Sequence, residues 1–198
     1  MTGRLIAFEG GEGSGKSTQA RRLARRLDGV LTFEPGDTAV GRRIREVVLD
    51  PAHPEIDART EALLMAADRA QHVAEIIRPA LDAGHHVVTD RYVGSSLVYQ
   101  GHGRHLGVEP VAALSAFATA GLEADVVVLL EIDREEAQRR LDRDLDRLES
   151  AGDDFHERVR AGFAALAHER GWVVVDGRGA VDEVEARVWS AFVGRLGG

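Results

Sequence analysis

Gly10-Gly11-Glu12-Gly13-Ser14-Gly15-Lys16-Ser17 is the stretch on which the reading of this chain turns. It fits G-x-x-x-x-G-K-[ST], the phosphate-loop motif, which needs a strand before it and a helix after it. Leu5-Ile6-Ala7-Phe8 is apolar and short, as a buried strand is. Thr18 to Leu27 is polar, with Leu23 and Leu27 four apart as on a helix. Glycines let the backbone wrap until successive N–H groups point at one anion, and the helix starting near Gly15 adds its positive end. Gly10 to Thr18 is therefore the expected cradle for a nucleotide, with Lys16 charging the outer phosphates and the Ser17 hydroxyl offered to Mg²⁺.

Lys16 is the only lysine among 25 basic residues. Arginine serves wherever charge alone is needed. The lysine is kept where a compact, flexible cation is required and a planar guanidinium fits badly.

With 198 residues the chain is expected to be one domain with a substantial core. Its net charge of −8 argues against sequence-independent nucleic-acid binding, which depends on neutralising phosphates. Cysteine is absent, so disulfides and zinc-thiolate sites are excluded. No apolar run nears the ~20 residues of a membrane span, and the N-terminus passes straight into the first strand. These features predict a cytoplasmic protein.

Strands and helices alternate along the chain. The pattern predicts strands at 4–8, 30–33, 86–90, 125–132 and 172–176, and helices at 15–28, 39–49, 57–83, 106–121, 134–148, 155–169 and 181–196. Thr38 and Asp133 are predicted helix caps, and Pro79 a kink in the long third helix. Ser95 to Gly103 reads as a polar, turn-rich stretch. Such alternation predicts a parallel sheet with helices on both faces. Ligands then lie beyond the strand C-terminal ends, where Glu34-Pro35-Gly36 and Asp90-Arg91 stand. A hydrophobic strand ending in Asp90 suits a carboxylate that holds Mg²⁺, and Arg91 beside it suits a phosphate.

Taken together, these residues resemble the thymidylate kinase family over essentially the whole length. The similarity rests on Glu9 to Thr18, Glu34-Pro35-Gly36, Ala66-Ala67-Asp68-Arg69-Ala70-Gln71, and Asp90-Arg91-Tyr92 with Ser95-Ser96 and Tyr99-Gln100-Gly101. It extends to Asp146-Arg147-Leu148-Glu149 and Phe155 to Val159. The resemblance implies a three-layer P-loop NTPase fold, sheet order 2-3-1-4-5, with a small lid near 143–153. It implies transfer of the ATP γ-phosphate to dTMP with Mg²⁺ on Ser17 and Asp90, by a homodimer. Arg45 and Arg91 would hold the acceptor phosphate, and Arg69 the thymine. Ser96 and Gln100 would lie near the base, and Glu34, Met65 and Ser95 would also line the substrate site. Tyr99 would exclude a ribose 2′-hydroxyl, and Glu12 would meet the sugar 3′-hydroxyl.

Three positions depart from the family pattern: Phe33 stands where many bacterial members have Arg, Asp37 where they have Gly, and Met65 where an aromatic often stacks on thymine. Because Gly11 to Ser14 contain no arginine, the resemblance places a catalytic arginine in the lid, Arg147 ahead of Arg143. Two other readings fit the phosphate loop alone: a kinase for a different monophosphate, and an ATP-binding module that drives a partner.

Overall fold

The computed structural model describes residues 3–53, 55–140 and 146–196. Five parallel strands form one sheet: β1 (Leu5–Glu9), β2 (Val30–Phe33), β3 (Val87–Asp90), β4 (Val126–Glu131) and β5 (Val173–Asp176). Their spatial order is β2-β3-β1-β4-β5, as the resemblance implied. β1 is the central strand, flanked by β3 and β4, and all five of its residues are buried. Ile6 pairs in register with Val88 on one side and Val126 on the other.

Alternation along β1 sends its side chains into two cores. Ile6 and Phe8 pack with Leu23 of α1 (Lys16–Arg26), Val188 and Phe192 of α9 (Val181–Leu196), and Val128 and Val175. Leu5 and Ala7 face Val73, Ile77 and Tyr92 on the opposite side. A further cluster on that opposite side joins Leu129 to Leu97, Phe155, Phe163 and Leu166. The result is three layers. Each large apolar side chain removed from water contributes about 1.5–3 kcal/mol, which is why strands buried on both faces read as unbroken apolar runs.

The remaining helices are α2 (Ala39–Leu49), α3 (Ala58–His72), α4 (Arg78–Asp82), α5 (Val93–Ser96), α6 (Val108–Thr119), α7 (Arg134–Arg140) and α8 (Asp153–Arg170). Thr38 accepts from Gly41 N and Asp133 from Glu136 N, so both predicted caps form. The long third helix is continuous from α3 to α4 through a π turn at Val73–Ile77, where the Arg78 N–H reaches back five residues to Val73. Pro79 has no N–H to give, and the wider turn shifts the ladder just before it.

Two predicted elements differ. Ser95 to Gly103 is not a turn-rich connector; it is α5 continued by a π-helical segment, Leu97–Gly103, and is largely buried. Its glycines serve close packing: a Cβ on Gly103 would lie 2.6 Å from the Phe155 ring, as one on Gly94, just before the segment, would lie 2.7 Å from Glu9 Oε1. The helix predicted over 134–148 does not reach its end. Residues 147–150 form a turn in which Asp146 Oδ1 accepts from Leu148 N and Glu149 N, each at 2.9 Å. An aspartate side chain holding its own local backbone competes with the helix ladder. Residues 143–145 of the expected lid, Arg143 among them, lie outside the described residues.

Candidate active site

The sheet order reverses direction between β1 and β3, since β1 is followed in sequence by the outlying β2. The phosphate loop leaves β1 there and Asp90 ends β3 beside it, with Phe8 and Asp90 paired in register. Both therefore open onto the same crevice at the strand C-terminal ends.

Gly13 has φ 71 and Gly15 φ 92, values that L side chains rarely adopt, and a Cβ on Gly13 would lie 2.8 Å from Ala137 O. α7 packs that close to the loop. Arg140 of α7 extends the contact, its Nη1 lying 3.4 Å from Gly13 O and 3.2 Å from Gly177 O. Lys16 is buried, and its Nζ donates to Gly11 O at 2.6 Å and Ser14 Oγ at 3.4 Å. Burial, then the Arg91 charge, pulls the Lys16 ammonium below its ordinary range.

Ser17 Oγ donates to Asp90 Oδ2 at 2.5 Å, while Asp90 Oδ1 is buried with no hydrogen bond. A hydroxyl and a half-bonded carboxylate at the mouth of a phosphate loop are a donor set suited to Mg²⁺, which takes few protein ligands and completes its shell with water and phosphate. Among the described residues no group of three or more His, Cys, Asp or Glu could cage a metal.

Arg91 sits at the turn out of β3 with φ 73, a left-handed conformation costing roughly 1–2 kcal/mol for a residue with a Cβ. Its N–H donates to Phe8 O, and Thr89 Oγ1 donates to its carbonyl. The conformation aims its guanidinium back over the phosphate loop. Nη1 reaches Gly10 O at 3.2 Å and Ser95 Oγ at 2.9 Å, and Nη2 pairs with Glu12. Beneath it Glu9, fully buried, accepts from Ser95 Oγ at 2.6 Å and Tyr92 N at 3.1 Å. Burial pushes the Glu9 carboxyl up to about 7 against the opposing pull of Ser95 and Arg91.

A cavity of about 350 Å³ extends from this point. Lys16, Ser17, Asp90, Arg91 and Glu12 border one end; Glu34, Met65, Arg69, Ser95, Ser96, Tyr99 and Gln100 border the rest, with Arg45 at the rim. Residues as far apart in sequence as Glu12 and Gln100 thus meet at one site. Arg69 is buried and donates from Nε to Glu34 at 2.8 Å, from Nη1 to Ser96 Oγ at 3.1 Å and from Nη2 to Tyr92 O at 3.1 Å. Of the five guanidinium N–H groups, three are spent on holding it, which leaves two for a ligand. Arg45 Nη1 donates to Pro35 O at 2.8 Å. Of the departures from the family pattern, Phe33 and Met65 border the cavity, whereas Asp37 accepts from Thr32 Oγ1 at 2.5 Å.

Sequence reasoning missed the supports under these residues. His72 connects Glu34 Oε1, at 2.9 Å, to Thr32 Oγ1, at 2.5 Å. Asp68 holds Gly36 N at 2.9 Å, and burial, then Glu34, raises its carboxyl to about 6. Glu61 collects Gln100, Arg104 and Arg147. Only the i, i+3 spacing of Arg69 and His72 signalled one of these in advance.

Arg147, expected as a lid arginine, is buried here: Nη2 pairs with Glu61 at 2.6 Å, Nε donates to Val48 O at 2.8 Å, and its backbone N–H donates to Leu49 O. Its charge is spent on anchoring the turn before α8 to α2 and α3. Turning the guanidinium outward would strip the buried Glu61 of one of its two arginine partners and Val48 O of a donor, which is why it points inward.

A model of the family described as thymidylate kinase matches residues 8–188. A curated thymidylate kinase of Prochlorococcus marinus (strain MIT 9303) is 48% identical over 204 residues, covering 96% of this chain and 94% of that one. That of Cutibacterium acnes is 46% identical, with 99% of each chain covered. The crystal structure of thymidylate kinase from Ehrlichia chaffeensis superposes with a TM-score of 0.81 at 25% identity, covering 97% of this chain and 100% of that one.

Proposed function

The chain belongs to the thymidylate kinase family, and on that premise we propose how its residues divide the work of phosphorylating dTMP. The enzyme is an ATP-dependent nucleoside monophosphate kinase. The observation that carries the residue assignment is the single cavity joining Lys16, Asp90 and Arg91 at one end to Arg69 and Gln100 at the other.

The acceptor's base lies at the Arg69 end, where the two uncommitted N–H groups meet a base carbonyl. Glu34 and Ser96 hold the guanidinium in place. Met65 covers the ring as a polarizable apolar surface. Tyr99 and Glu12 stand at the sugar. The acceptor phosphate takes the place of Glu12 on Arg91, with Arg45 closing from the rim. A phosphate accepts bidentately from a guanidinium and carries more charge than one carboxylate.

ATP lies in the loop from Gly10 to Thr18. Its outer phosphates draw Lys16 away from Gly11 O, to which the ammonium is bonded in the free loop. Mg²⁺, held by Ser17 and Asp90, would neutralise charge on the phosphate oxygens when bound. An oxygen of the dTMP phosphate attacks the γ-phosphorus as the bond to the ADP oxygen breaks, and no protein nucleophile takes part. The protein's contribution is alignment and charge, which is most of what phosphoryl transfer needs. The segment around 143–153 acts as the lid.

A homodimer is supported by Val47 of α2, Leu63 of α3 and Phe117 of α6, apolar side chains 45%, 57% and 88% exposed on helices that pack side by side. Among the described residues no helix is long and apolar enough to cross a membrane. The enzyme is assigned to the cytoplasm with its nucleotide substrates.

ADP release with ATP and each nucleoside monophosphate in turn tests the assignment. dTMP is expected to be the preferred acceptor; preference for another monophosphate would overturn it.

A further inference from the structure

Glu61 lies in the first turn of α3 with no exposed surface, and every donor it meets comes from elsewhere in the chain. Gln100 Nε2 donates at 2.9 Å, Arg104 Nη2 lies at 3.1 Å and Arg147 Nη2 at 2.6 Å. The two guanidiniums offset the cost of burying the carboxylate. Charge balance alone does not call for Gln100, which is neutral.

A carboxylate accepts and does not donate, so only the NH₂ end of the Gln100 amide can face it. The carbonyl end, Oε1, accepts from no group among the described residues, and Gln100 borders the cavity. The oxygen is therefore the end presented to the acceptor base. We propose that Glu61 is a positioning residue for base selection: it fixes the polarity of the Gln100 amide so that the site offers an acceptor and not a donor. This rests on the assignment of the cavity to the acceptor nucleotide.

The chemical consequence concerns the ring N–H. Thymine carries a hydrogen on N3 and donates to Oε1. Cytosine has a bare nitrogen there, which would set a lone pair against a lone pair. Arg69 acts from the same end as a donor toward an exocyclic oxygen and disfavours an amino group. Glu61 thus adds a second element of discrimination without touching substrate.

Glu61→Gln inverts the arrangement at nearly constant shape. The new carbonyl accepts from Arg147 and the new amide donates to Gln100, which then turns its own NH₂ toward the cavity. The experiment compares kcat/KM for dTMP and dCMP in wild type, Glu61→Gln and Glu61→Asp. The expected result is a fall of at least tenfold in the dTMP-to-dCMP ratio for Glu61→Gln, mainly through the KM for dTMP, with the KM for ATP within twofold. Glu61→Asp, still a pure acceptor, is expected to keep the ratio. A merely structural role would lower both substrates alike; a folded Glu61→Gln protein with an unchanged ratio overturns the inference.

If Glu61→Gln does not fold, the wild-type protein answers. Its Gln100 side-chain NH₂ resonances, assigned by their loss in Gln100→Met, are expected to change little on adding dTMP, because they face Glu61. A large shift would put the NH₂ against the base and overturn the inference. A wild type that ignores dTMP sinks the acceptor assignment itself; a dTMP-selective wild type with an unmoved Glu61→Gln ratio sinks this inference alone.

Discussion

Ser17 Oγ donates to Asp90 Oδ2 across 2.5 Å, tying the start of α1 to the end of β3. The two residues are far apart in sequence and meet because β1 and β3 are neighbours in the sheet. The buried, unbonded Asp90 Oδ1 completes a pair of oxygens for a hard cation. Asp90→Asn keeps the shape and removes the charge. Turnover is expected to fall tenfold or more, roughly 1.4 kcal/mol or above, with the Mg²⁺ concentration for half-maximal rate raised. A Mg²⁺ titration of initial rates decides it; an unchanged midpoint would remove Asp90 from the metal site.

Lys16 fits a loop in which its ammonium lies 2.6 Å from Gly11 O. The wider guanidinium of Lys16→Arg cannot occupy that space, although arginine serves everywhere else in this chain. Turnover is expected to drop at least tenfold, with the thermal midpoint little changed. Single-turnover transfer near the wild-type rate would refute the geometric argument.

Arg69→Ala should weaken dTMP binding by roughly 1.5–3 kcal/mol, the worth of a charged hydrogen bond, and leave ATP binding nearly untouched. Isothermal titration with each nucleotide reads this directly. Equal loss for both would make Arg69 a structural residue that serves only to hold Glu34, Ser96 and Tyr92 together.

For Arg147 the expected loss is stability, not chemistry. Removing Arg147 takes a charged hydrogen-bond partner from Glu61, which keeps Arg104 and Gln100, and costs about 1–3 kcal/mol. At 198 residues each kcal/mol lowers Tm by about 2–4 °C. Arg147→Ala is therefore expected to melt well below wild type while its turnover per folded molecule stays within a few-fold. A stable variant with collapsed turnover would return Arg147 to the catalytic role.

Glu9 gives a pH dependence with a definite sign. Its carboxyl is raised by burial from 4.5 to about 7, so between those values the folded state holds a proton that the unfolded state has released. The stability it contributes is full below about 4.5 and is lost as pH rises through about 7. Asp68, raised to about 6, acts in the same direction. Urea unfolding at pH 5 and pH 8 should show Glu9→Gln losing less stability over that range than wild type, by an amount on the order of 3 kcal/mol. Equal losses in the two proteins would show that Glu9 titrates normally.

The phosphate loop, the five strands and most helices were legible because each is written in local terms: an apolar run, a glycine cluster, a helical repeat. Asp90 and Arg91 were legible for the same reason, standing at a strand end. The segment from Ser95 to Gly103 was misread because its serines and glycines look like a loop. Its glycines are held small by close neighbours: Phe155 packs against Gly103, and the backbone of Gly107 and Val108 against Gly101. Likewise nothing in Asp146-Arg147-Leu148-Glu149 reveals that Glu61 lies within reach.

By itself the sequence determined that the chain folds into a parallel α/β sheet around a phosphate loop, since hydrophobic periodicity and glycine geometry act over a few residues. Only the tertiary structure decided which carboxylate each arginine would find. Arg69 went to Glu34, Arg91 to Glu12, and Arg147 to Glu61. Charges taken out of water must be matched by whatever partner the packed elements bring within a few ångströms, and that proximity is a property of the whole fold.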